Sequence, residues 1–200
     1  MKKIIISFIL IFALLMSFAA CNIGGKTDDE ETVYTTLSEL AKVSYSQVAL
    51  STVIKTADAE LTAQYVLTKT TVTYAIEQMS KLPTDGVLNN TPATSKTVLS
   101  GTATVENGKV IALDGTSVEL PEYDELKGEF NFKESFFKNV TEAGNKFSAD
   151  VNNPEKFLNT TKKVENMKIE VEYTSDAITK IVLTYNTENA TVTSTYAFSK

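Results

Sequence analysis

MKIEVEYTSDAITKIVLTYNTENATVTSTYAF, residues 167–198, decides the fold. Met167, Ile169, Val171 and Tyr173 alternate with Lys168, Glu170 and Glu172. After Thr174-Ser175-Asp176-Ala177, Ile181, Leu183 and Tyr185 alternate with Lys180, Val182 and Thr184. After Asn186-Thr187-Glu188-Asn189, Val192, Ser194, Tyr196 and Phe198 continue the pattern. A period of two sends successive side chains to opposite faces of a strand. The stretch therefore predicts a three-stranded antiparallel meander with one apolar and one polar face.

The same period runs back towards the N-terminus. Val48, Leu50, Thr52 and Ile54 alternate with polar residues, and Leu61, Ala63, Tyr65 and Leu67 follow after a break at 55–60. Val72, Tyr74, Ile76 and Gln78 alternate on the opposite parity, which places a turn near Thr68–Thr71. A helix through Ala57–Leu67 is the rival reading of the second segment. Asn107-Gly108 between apolar-rich flanks predicts a two-residue hairpin, because both residues accept the positive φ such a turn needs. Pro83–Gly86, Asn89–Pro92 and Asp114-Gly115 are loop chemistry. Pro121–Lys127 reads as a connector or one helical turn, and Asn153-Pro154 as an N-cap and first helical residue. Phe130 and Phe132 alternate with Asn131 and Lys133, and Phe147, Ala149 and Val151 form a further strand. Val33, Leu37, Leu40, Ala41 and Ser44 fall at helical spacing, so 32–43 is an amphipathic helix. The expected fold is mainly β (α+β): a strongly curved antiparallel sheet or unclosed barrel of about nine or ten strands with an N-terminal helix, since sheets that wide curl or close.

The first twenty residues are of another kind. Lys2-Lys3 precede an apolar run, and Ser17-Phe18-Ala19-Ala20 lead into Cys21, the only cysteine. Basic, apolar, small is the order of an export signal. Ala19-Ala20-Cys21 resembles the bacterial lipobox, with Phe18 standing where that family usually has Leu, Val or Ile. The resemblance implies a thioether-linked diacylglyceryl group on Cys21, the new N-terminus, and two acyl chains suffice for stable anchoring. Residues 22–31, ending in Asp28-Asp29-Glu30-Glu31, have the composition of a flexible tether. The domains expected are thus a lipoprotein signal peptide at 1–20, a tether at 21–31 and one β-rich domain at 32–200. The expected location is the extracytoplasmic face of the cell membrane. The fold expectation in turn resembles the unclosed-barrel lipoprotein carriers of the LolA and LppX type, and the order of elements is similar to that of small uncharacterised lipoproteins of Firmicutes. The carrier resemblance implies an apolar cavity for a lipid.

Chemistry narrows the role. After loss of the leader, 17 lysines face 25 acidic residues, a net charge of −8, and there is no arginine or histidine. Such a surface lacks the footprint of nucleic-acid binding. Without histidine, and with Cys21 acylated, Ser-His-Asp, Cys-His and zinc chemistry have no residues. No metal and no cofactor are expected. Glu119 with Glu122, Asp124 with Glu125, and Glu170 with Glu172 are the carboxylate pairs left for a hydrolase, the least favoured reading, because Glu170 and Glu172 share a solvated strand face. The chain reads as non-catalytic. Phe130, Phe132, Phe136, Phe137 and Phe147 are the candidates for lining a pocket for a hydrophobic ligand larger than about 300 Å³. They could equally fill the core, leaving an envelope partner to dock on an apolar patch or free sheet edge. Tyr34, Tyr45, Tyr65, Tyr74 and Tyr123 are candidates for a polar-tipped binding face.

Overall fold

A computed structural model describes residues 32–81, 94–107, 109–112 and 120–200. The leader, Cys21, the tether, the loop signals between 83 and 92, Asp114-Gly115 and Glu119 lie outside the described residues. Ten strands form a single sheet: β1 (Gln47–Lys55), β2 (Ala59–Leu67), β3 (Thr71–Lys81), β4 (Thr94–Glu106), β5 (Lys109–Ala112), β6 (Phe137–Ala143), β7 (Lys146–Val151), β8 (Glu165–Tyr173), β9 (Ile178–Asn186) and β10 (Thr191–Ser199). Their order is β5-β4-β3-β2-β1-β10-β9-β8-β7-β6, antiparallel throughout. β5 and β6 lie at opposite ends and do not pair, so the sheet is open rather than a closed barrel. Two five-stranded meanders are joined at the centre by β1 and β10, the first and last strands.

Register turns the alternation of single strands into rows. Leu50 faces Tyr65 and Tyr196; Tyr65 faces Tyr74, Tyr196 faces Ile181, and Val171 and Phe147 extend the line. All seven side chains are buried. Gly101 closes the row opposite Tyr74 without a side chain of its own. The parallel row through Thr52, Ser194, Leu183, Ile169 and Ala149 contains two hydroxyls, and they satisfy each other at 3.0 Å. A slip of one residue in any strand would turn its apolar set to solvent, which is why register is so well specified here.

The inner face is covered by short helices and irregular chain. Helix α1 (Val33–Leu40) is capped by Thr32, whose hydroxyl accepts from the Thr35 N–H at 3.4 Å, and it buries Leu37 and Leu40. Tyr45 fixes it to the sheet: its hydroxyl donates to the Leu40 carbonyl and accepts from the Ile178 N–H. Helix α2 (Tyr123–Lys127) packs on β1 and β2 with Leu126 fully buried. The helical turn α3 (Pro154–Phe157) starts at Pro154 as expected, although the Asn153 side chain makes no cap bond.

One rival reading falls and one expectation changes. Ala57–Leu67 is strand, not helix, from Ala59 onward. The alternation at Phe130 and Phe132 does not make a strand: 128–133 is irregular chain leading into a 3-10 turn at Glu134–Phe136. Gly128 explains the break. Its φ of +74° lies in the left-handed region, and a Cβ there would meet the Phe130 and Tyr196 rings at 3.0 Å. The chain passes over the sheet instead of joining its edge.

Candidate functional site

The five phenylalanines do not form one group. Phe132, Phe136, Phe137 and Phe147 gather with Tyr34 of α1 and Phe157 of α3. Ring centroids lie 6.3 Å apart for Phe132–Phe137, 5.5 Å for Phe137–Phe147 and 5.7 Å for Phe136–Phe157. Tyr34 stacks on Phe137 at 6.1 Å and meets Phe147 edge-on at 6.0 Å. Phe130 stands apart, edge-on to Tyr196 at 5.1 Å and beside Phe198, which in turn touches Tyr45.

Phe136 and Phe137 pose a steric question, since neighbours on a strand face opposite ways. The 3-10 turn resolves it: Phe136 ends the turn and Phe137 starts β6. Both rings therefore reach Phe157, Phe137 at 5.8 Å. Phe132 and Phe147 are 1 % exposed and Phe137 6 %, while Phe130 and Phe136 are partly buried against the same core. Edge-to-face aromatic pairs add about 0.5–1.5 kcal/mol each beyond area burial, so this is a packed cluster with ring on ring.

A groove of about 240 Å³ lies between β6, β7, β8 and β9, lined by Thr141, Lys146, Ser148, Glu170, Glu172 and Lys180 among others. Phe147 is the one phenylalanine along it. Lys146 at 3.3 Å and Lys180 at 3.9 Å flank Glu172, a ladder of exposed charge across three strands. Exposed pairs of this kind contribute little stability. The groove carries charge at Lys146, Glu170, Glu172 and Lys180 and is smaller than the roughly 300 Å³ at which ligand cavities begin.

The candidate tyrosines are also dispersed. Tyr65 and Tyr74 are side by side in the core. Burial pushes the Tyr65 phenol well above its ordinary range, with neighbouring Tyr74 adding to the effect. Tyr34, raised by burial and then by Glu134 and Glu142, belongs to the phenylalanine cluster. Tyr45 is structural, and Tyr123 sits on α2. On β3, the Tyr74 hydroxyl and Gln78 Oε1 are buried without a hydrogen-bond partner among the described residues.

The carboxylates are accounted for locally. Glu125 Oε2 accepts from the Glu122 N–H at 3.2 Å across the start of α2. Burial raises the Glu125 carboxyl, and the Glu122 carboxylate pushes the same way. Glu170 and Glu172 lie on the outer face of β8. Among the described residues no three His, Cys, Asp or Glu side chains gather as metal ligands, and no helix is long and apolar enough to cross a membrane.

What residue-by-residue reading missed is on the outer face of the first meander. Val66, Met79, Val98 and Ile111 are exposed large apolar side chains on β2, β3, β4 and β5, with Val98 the most exposed at 58 %. Their neighbours on that face include Lys96, Glu77, Thr73 and Thr104. The signal was present as apolar residues at solvent-facing parity. The chain matches no protein-family model and no curated protein sequence.

Proposed function

We propose that this chain is a lipid-anchored protein of the extracytoplasmic membrane face, non-catalytic, whose sheet docks a protein partner. The observation that carries the docking half is the ring-on-ring packing of Phe132, Phe137 and Phe147 beneath Tyr34, which fills the space where a carrier would hold its lipid. Exposed apolar side chains on the outer face of β2–β5 support a contact there. The anchoring half rests on the lipobox-like Ala19-Ala20-Cys21 and the charged tether after it.

A second reading has one observation in its favour. Buried polar groups normally find partners, and the Tyr74 hydroxyl and Gln78 Oε1 have none among the described residues. A small amphiphile meeting those atoms would make the protein a binding module.

Native mass spectrometry of residues 27–200, purified from a bacterium without detergent, separates the two. The docking reading expects the bare chain mass. A mass excess removed by extraction and identified as a lipid would overturn it in favour of the carrier. For the anchor, the full chain is expected in the membrane fraction with incorporated palmitate, and Cys21→Ser is expected to lose the label.

A further inference from the structure

We draw no further inference here: the strongest candidate, the exposed apolar patch of Val66, Met79, Val98 and Ile111 on the outer face of β2–β5, already supports the docking reading, and nothing among the described residues shows what covers it.

Discussion

At the scale of single residues, the tyrosines report on burial most directly. Tyr65, Tyr185 and Tyr196 are 2 %, 3 % and 0 % exposed, and removal from water raises each phenol far above its ordinary value of about 10. The unfolded chain releases those protons near pH 10, whereas the folded chain keeps them. Above that pH the unfolded state binds fewer protons, so stability falls as pH rises, while below it these groups contribute their full share. Absorbance at 295 nm followed against circular dichroism is expected to show Tyr65, Tyr185 and Tyr196 ionising only as ellipticity is lost. One wave near pH 10 with the sheet intact would contradict the burial of all three. Parity made this core legible in advance. Leu61, Ala63, Tyr65 and Leu67, and Val72, Tyr74 and Ile76, all point inward as their spacing predicts. The same parity placed polar Thr52, Gln78 and Ser194 inside, and only the structure shows which of them find a partner.

At the scale of elements, the seam between β1 and β10 is where local reading stopped. Each strand is plain in the sequence, but nothing in either says that they pair, because cross-strand register between distant segments leaves no local periodicity. The same is true of the phenylalanine segment: alternation at 130–133 suggested a strand, and the left-handed backbone at Gly128 turned the chain across the sheet as a cover instead. The candidate site shared that fate, since whether aromatic rings line a cavity or fill it depends on Tyr34 arriving from another element. The seam has a polar centre that can be weighed. Thr52 and Ser194 are 1 % exposed and, among the described residues, their hydroxyls bond each other across β1–β10, so each single apolar replacement strands a buried hydroxyl. Thr52→Val and Ser194→Ala are each expected to cost about 1–3 kcal/mol in urea unfolding, and the double variant much less than their sum. Simple additivity would mean that the hydroxyls do not depend on each other.

At the scale of the whole molecule, the strand order has a kinetic consequence. Eight of the nine strand pairs join neighbours in the sequence, and only β1–β10 closes a long loop, with Thr52 and Ser194 separated by 142 residues. Both halves are meanders that can form locally, so the seam is the contact whose entropy the chain must meet late. A circular permutant isolates that cost. Joining Lys200 to Thr32 through a linker of about ten residues, and opening the chain between Ala112 and Leu120, makes the sequence order β6-β7-β8-β9-β10-β1-β2-β3-β4-β5, the spatial order of the sheet. The Thr52–Ser194 separation falls to roughly forty residues, which lowers loop-closure cost by about 1 kcal/mol. If the seam forms in the folding transition state, refolding in stopped flow is expected to accelerate roughly sevenfold, with the unfolding rate little changed. A permutant that folds to the same circular dichroism spectrum but no faster would show that the seam closes after the rate-limiting step. One that fails to fold would show that the two meanders are not the independent units that their pairing implies.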